Sequence, residues 1–205
     1  MAKLLKENPS TKIPIYLSGL RQRNIAEKII HLKKWALTGI KGVKLFLPAD
    51  DLKIIEELSK IQLEVPEIKN WMIDLLWMSD IESSIKLKQN LKEFNVSFLE
   101  CPLQPEDLEG HKLLVDTPGV PIALGEHFRT HFQIETWINA PALDIFQPDI
   151  GRTGISNALK QLEMSLKSGI QVTPHMGMGS PIFQAATLHF SSIGPLCLRV
   201  APAPC

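Results

Sequence analysis

The sequence predicts an α/β fold, a TIM-like (β/α) barrel, on three observations. Eight short apolar, strand-like runs alternate with seven helix-like stretches, the pattern of a parallel sheet with helices outside it. The repeating unit is about 25 residues, the length of a strand, a loop, a helix and a second loop. Runs three, four and five each end in a carboxylate, Asp74, Glu100 and Glu126, spaced 26 residues apart. These three therefore hold one position in three successive units. An open doubly wound sheet is the second reading, but no Gly-x-Gly-x-x-Gly follows the first strand.

The elements follow in order. Residues 1–12 are polar and helix-like and lead into nothing that needs them, so the domain proper is expected to run from 13 to 205. Ile13–Leu17 reads as the first strand, with Pro14 near its start or on an edge. Asn24 can cap a helix to Leu37, whose Ile25, Ile29, Leu32 and Ala36 form a stripe and which Gly39 ends. Gly42–Leu47 is the second strand, and Asp50 or Asp51 caps the helix running to about Leu63. Trp71–Leu76 is the third strand, followed by a helix from about Asp80 to Phe94. Val96–Cys101 is the fourth, and Pro105-Glu106-Asp107 opens a short helix with acids in its first turn. Val120–Gly125 is the fifth, and Thr130 or His131 begins a helix ending near Asn139. Leu143–Gln147 is the sixth, with a helix from about Ile155 to Ser168, and Gly169–Thr173 is the seventh. Ser180-Pro181 opens the last helix as N-cap and first-turn proline, and Leu196–Val200 reads as an eighth strand.

Composition narrows the function classes. A chain of 205 residues, 44% hydrophobic and 21% charged, can bury a sizeable core. Its zero net charge argues against a nucleic-acid partner. No apolar run approaches the ~20 residues of a membrane span, and the N-terminus has no signal-peptide core. Three scattered cysteines, Cys101, Cys197 and Cys205, suggest a reducing, cytoplasmic compartment, and the lack of a Cys-x-x-Cys pair argues against thiolate zinc.

The chemistry-bearing residues fall at strand ends. Asp74, Glu100 and Glu126 would sit side by side on the C-terminal rim, where three carboxylates repel one another unless a cation joins them. Strand six ends in Gln147-Pro148-Asp149 and strand seven in Thr173-Pro174-His175, again 26 residues apart for Asp149 and His175. An aspartate beside a histidine fixes its tautomer and makes it a usable general base. Any one of these five could be a helix cap or a solvated loop charge; five from consecutive strands at near-regular spacing point to a site. Lys44 is a candidate contact to substrate or metal shell, and His127 and Arg152 are candidate substrate contacts. His31, His111, His131 and His189 read as surface or packing residues. Trp35, Trp71, Trp77 and Trp137 read as filling of the layer between barrel and helices.

In type, order and spacing Asp74, Glu100, Glu126, Asp149 and His175 resemble the mandelate racemase subgroup of the enolase superfamily. Leu99-Glu100-Cys101-Pro102, Leu124-Gly125-Glu126 and Gln147-Pro148-Asp149-Ile150-Gly151-Arg152-Thr153-Gly154 carry the same likeness, which covers about Ile13 to Val200. The resemblance implies a (β/α)7β barrel, Mg²⁺ held by Asp74, Glu100 and Glu126, and a His175–Asp149 dyad handling the proton next to a substrate carboxylate. Mg²⁺ is a hard, oxygen-seeking ion that keeps positions open for substrate oxygens, and the enolate of a weak carbon acid needs such charge.

Four features depart from the subgroup. Where it carries Lys-x-Lys at the end of strand two, this chain has Lys44-Leu45-Phe46; its asparagine two places after the first ligand is Leu76 here; and its eighth-strand glutamate is absent from Leu196-Cys197-Leu198-Arg199. The N-terminal capping domain and the C-terminal return have no counterpart, so residues 1–12 are expected to be a remnant of a capping-domain helix or linker and the barrel to be C-terminally truncated. With one apolar face the expected reaction is single-base: a Mg²⁺-dependent dehydratase that eliminates water from a sugar acid. In it His175 is base and acid, Asp149 orients it, and Lys44 polarises the substrate carboxylate. The alternatives are a racemase or cycloisomerase of the same superfamily, or an inactive barrel serving as a metal-binding or assembly domain. The expected partners are a small sugar acid and, in the full-length form, further copies of the chain, with neither nucleic acid nor membrane.

Overall fold

The protein is described by a computed structural model covering residues 1–20, 22, 24–47 and 51–194. In chain order the elements are α1 (Ala2–Leu5), α2 (Ile25–Ala36), β1 (Gly42–Phe46), α3 (Asp51–Glu64), β2 (Asn70–Asp74), α4 (Ile81–Asn90), β3 (Val96–Glu100), α5 (Leu108–Asp116), β4 (Ile122–Leu124), α6 (His131–Asn139), β5 (Ile145–Phe146), α7 (Ile150–Thr153), α8 (Ile155–Lys167), β6 (Gln171–Val172) and α9 (Pro181–Ser191). The expected eighth strand and the Asp50 or Asp51 cap of α3 lie outside the described residues and side chains. The described chain forms two compact units, Ile15–Ile122 and Met1–Pro14 with residues 123–194.

In the Ile15–Ile122 unit, β1, β2 and β3 pair in parallel, with Phe46 opposite Asp74 and Asp74 opposite Glu100. That register brings three strand ends into line. Alternation along β1 puts Lys44 on the same face as Phe46. The rest of the strands is apolar and closed off: Val43, Leu45, Trp71, Ile73 and Leu99 are buried, as strands covered on both faces require. The helices begin where side chains can take up their free N–H groups. Asn24 Oδ1 accepts from Glu27 N–H at 2.9 Å, Asp80 Oδ1 from Ser83 N–H at 2.8 Å, and Asp107 Oδ1 from Gly110 N–H at 2.8 Å.

The expected first strand, Ile13–Leu17, is corrected to a single bridge. Leu17 N–H donates to Gly42 O at 2.9 Å and Lys44 N–H to Leu17 O at 2.8 Å, and the ladder goes no further. Pro14 has no N–H to extend it, and Ile15 is exposed, so no apolar face holds the segment flat. Trp35 is a second correction. It is 37% exposed, and its Nε1–H donates to His31 Nε2 at 2.9 Å on the same helix face.

In the other unit β4, β5 and β6 pair in parallel, Leu124 opposite Phe146 and Phe146 opposite Val172. Gly125 ends β4 at φ 121°, where a Cβ would stand 2.5 Å from a Phe146 ring carbon, so the chain can turn here only without a side chain. Thr130 and Gln133 form a capping box on α6, and Ser180 with Pro181 opens α9. The first residues are not idle. Lys6 Nζ donates to Ile193 O at 3.1 Å and Ser10 N–H to Ser192 O at 2.7 Å, tying the N-terminal segment to the end of α9. Among the described residues no helix is long and apolar enough to cross a membrane.

His111 yields the first prediction. It is buried in α5, and burial pushes its imidazole below the usual histidine range; the Asp107 carbonyl and carboxylate only partly offset this. A base whose folded pKa is depressed binds more protons when unfolded, so its stabilising effect is lost as pH falls through the unfolded value. The urea midpoint of the parent is therefore expected to fall relative to that of His111→Asn between pH 7 and pH 5. Parallel pH profiles in the two proteins would show that His111 does not contribute.

Candidate active site

Each unit gathers its own cluster at the strand ends. In the Ile15–Ile122 unit the Lys44 ammonium lies 2.5 Å from Glu100 Oε1 and 3.2 Å from Asp74 Oδ2. All three side chains are buried. The Phe46 ring centroid is 5.3 Å from the same ammonium, a cation–π distance. Among the described residues one cation thus faces two carboxylates. Burial first, then the Glu100 charge, pushes the Asp74 carboxyl up to about 7, against the pull of Lys44 and the Leu76 N–H. Burial alone would lower the Lys44 ammonium; Glu100, Tyr16 and Asp74 outweigh it and hold Lys44 above the ordinary lysine range.

The backbone next to these carboxylates is strained. Leu76, Trp77 and Cys101 adopt φ of 52°, 59° and 46°, a left-handed conformation that bulky residues avoid and that marks functional turns when the surrounding structure enforces it. Asp74 Oδ1 accepts Leu76 N–H at 3.0 Å, while Leu75 N–H and Trp77 N–H donate to Glu100 O and Cys101 O at 3.0 and 2.7 Å. The strand ends carrying Asp74 and Glu100 are therefore locked together beyond the regular ladder. Nothing in these residue types signals the strain in advance.

In the other unit His175 stands between two carboxylates. Its Nδ1 is 2.8 Å from Asp149 Oδ2 and its Nε2 is 2.8 Å from Glu126 Oε2. Backbone placement supports this. Asp149 and His175 form a parallel bridge past the ends of β5 and β6, with His175 N–H donating to Pro148 O at 3.0 Å. Asp149 also caps α7, its Oδ1 accepting Arg152 N–H at 3.0 Å. The helix-cap and orienting roles coincide, one on each carboxylate oxygen. Burial would raise Asp149, but His175 and the Arg152 N–H and charge together hold it below the usual carboxylate range. The exposed Arg152 guanidinium lies 3.9 Å from Glu126 Oε1. The His127 ring packs edge-on against Phe128 and Trp137, with centroids 4.3 and 6.4 Å away.

Chemically, the first cluster offers buried carboxylate oxygens, the donor type a hard divalent cation takes. The second offers an imidazole with a carboxylate oxygen at each ring nitrogen, an arrangement able to hold and pass a proton. Among the described residues no group of three or more His, Cys, Asp or Glu side chains could hold a metal ion by itself.

The chain is similar to known proteins along most of its length. A family model described as enolase C-terminal domain-like matches residues 29–201. The chain is 31% identical over 160 residues to L-talarate/galactarate dehydratase of Salmonella typhimurium, a match covering 77% of this chain and 39% of that enzyme. It is 26% identical over 155 residues to D-galactarolactone cycloisomerase of Agrobacterium fabrum, covering 75% of the chain and 40% of that enzyme. The chain thus spans less than half the length of these curated relatives. Among solved structures, a member of the enolase superfamily from Agrobacterium tumefaciens superposes with a TM-score of 0.87 at 30% identity, over 95% of this chain and 50% of that one. The 3,6-anhydro-D-galactonate cycloisomerase of Zobellia galactanivorans superposes with a TM-score of 0.88 at 23% identity, over 95% of this chain and 55% of that one, a likeness of fold alone. The strand–helix alternation of both units is that of the (β/α) barrel these proteins share.

Proposed function

The chain belongs to the enolase C-terminal domain-like family, and from that premise we propose that it is the barrel part of a Mg²⁺-dependent sugar-acid dehydratase. The observation that carries this reading is His175, with Asp149 at 2.8 Å on one ring nitrogen and Glu126 at 2.8 Å on the other. The relatives support it: the curated matches include dehydratases of L-talarate/galactarate, L-galactonate and D-galactonate.

Asp74, Glu100 and Glu126 would hold the Mg²⁺, which when bound supplies charge that lowers the cost of removing a proton next to a carboxylate. His175 Nε2 would take the proton from the α-carbon, and Asp149 would stabilise the imidazolium that forms. The protonated His175 then hands that proton to the β-hydroxyl as it leaves, so the α-hydrogen and the β-hydroxide depart as water. The remaining enol ketonises to a 2-keto-3-deoxy acid, and nothing is oxidised or reduced overall. Lys44 keeps positive charge beside Asp74 and Glu100, and Arg152 offers a guanidinium to the far end of an acid substrate. His127, whose ring lies edge-on to Phe128 and Trp137, is proposed as a further substrate contact.

Testing the chain with Mg²⁺ against a panel of aldonic and aldaric acids is expected to give a 2-keto-3-deoxy product from at least one, detected as its semicarbazone. Lactone rearrangement without keto product would move the assignment to cycloisomerase, in line with the relatives of that activity.

A further inference from the structure

The loops carrying Glu126 and Asp149 are joined by a bond the reaction chemistry does not require. The Arg129 carbonyl, three residues after Glu126, accepts Thr153 Oγ1–H at 2.9 Å and Asn157 Nδ2–H at 2.8 Å. Asn157 Oδ1 in turn accepts His131 N–H at 3.0 Å and lies 2.9 Å from His131 Nδ1. On the other side of the same residue, Gln133 Oε1 accepts Arg129 N–H at 2.7 Å and Thr130 N–H at 3.1 Å. The segment after β4 is therefore held at both backbone polarities. Thr153 ends α7, the turn that Asp149 caps: its N–H donates to Asp149 O at 3.0 Å, and it follows Arg152 directly.

Thr153 is buried, and behind it the Gln161 amide is fully enclosed. A hydroxyl has one proton to give. Arg129 O is the nearer acceptor, against 3.2 Å to Gln161 Oε1, and takes it. Turning the Gln161 amide over then points Nε2–H, otherwise buried without a partner, at the Thr153 oxygen. The Thr153 hydroxyl then donates to Arg129 O and accepts from Gln161, which fixes its rotamer.

We propose that Thr153 is a positioning residue: it clamps the Glu126 loop to the Asp149 loop and so sets the gap in which His175 is held by both carboxylates. Asn157 shares the carbonyl and supports the clamp. The proposal rests on His175 as the proton-transfer group, but its test needs no substrate.

The test is the crystal structure of the metal-free chain and its variants, read at the Glu126 carboxylate and the His175 ring. The parent is expected to keep Glu126 beside Nε2 and Asp149 beside Nδ1. Thr153→Val keeps the shape and removes the hydroxyl; Glu126 is expected to draw away from His175 while Asp149 stays. Thr153→Ser is expected to retain both contacts. Asn157→Ala, at a half-buried position, is expected to loosen the Glu126 contact and carries the test should Thr153→Val not fold. On an acid that is turned over, Thr153→Val lowers kcat by about 10–100-fold and Thr153→Ser restores it. Both contacts unchanged in Thr153→Val and Asn157→Ala, or Thr153→Ser behaving like Thr153→Val, would overturn the clamp. A chain that dehydrates nothing yet shows the Thr153-dependent contact would refute the assigned reaction and leave the clamp standing.

Discussion

Mg²⁺ is expected to raise the melting temperature of the parent chain, and Glu100→Gln to remove most of that rise. The Asp74–Glu100 pair is buried beside Lys44, so a divalent ion meets carboxylate oxygens already withdrawn from water. An ion present at a hundred times its dissociation constant stabilises by about 2.7 kcal/mol, or roughly 5–10 °C in a chain of this size. Glutamine keeps the volume of Glu100 and loses the charge. Asp74 remains to face Lys44, so the metal-free baseline moves less than the Mg²⁺ increment does. The pH dependence has a definite sign. The Asp74 carboxyl is pushed up to about 7 from 3.8, so between those values the folded chain binds more protons than the unfolded one, and metal-free stability declines as pH rises through that window. The ion must displace that proton, so its increment is expected to be larger at pH 8 than at pH 6. Calorimetry with and without Mg²⁺ checks both statements; equal increments in parent and Glu100→Gln would remove Glu100 from the metal set.

The even spacing of strand-end residues makes much of this arrangement legible in the sequence. A parallel strand returns to the same height after a fixed length of chain, so Asp74 and Glu100, 26 residues apart, fall opposite each other in the register of β2 and β3. Asp149 and His175 do so in their bridge. Caps are legible for a local reason: Asn24 and Ser180 satisfy free N–H groups from where they stand, whereas Asp107, read as part of the first turn of α5, is its N-cap. What is not legible depends on through-space partners. Lys44 carries no sign in the sequence that Glu100, 56 residues away, receives its ammonium at 2.5 Å. Leu76, Trp77 and Cys101 are residues no turn rule would choose for a left-handed backbone. Thr153 looks like a filler between Arg152 and Gly154 until the Arg129 carbonyl is seen against it. Pro14 misleads in the other direction, since the apolar run around it has the composition of a strand yet pairs only through one bridge at Leu17.

The second large effect is expected at the α-carbon of the substrate. A racemase needs a group on each face of that carbon that can both take and give a proton. β1 ends in Phe46, which can do neither, and its one amine, Lys44, is buried against Asp74 and Glu100. On the proposed reading His175 is the single base, and the chain is expected to exchange the α-proton of one epimeric series only. His175→Asn is expected to abolish that exchange, a loss of about 10²–10⁴-fold, the usual contribution of a positioned acid–base group. Asp149→Asn separates two duties of one side chain. Asparagine caps a helix about as well as aspartate, so α7 should stay folded, while the imidazolium loses its anion and exchange weakens. Retained melting temperature with reduced exchange in Asp149→Asn would therefore place the effect on His175 rather than on the helix. The measurement is proton NMR in heavy water, following deuterium uptake into both α-epimers of an acid the chain turns over. Equal incorporation into the two epimers would mean that a second base acts on the other face. Exchange that persists in His175→Asn would mean that the proton leaves to some group other than this imidazole.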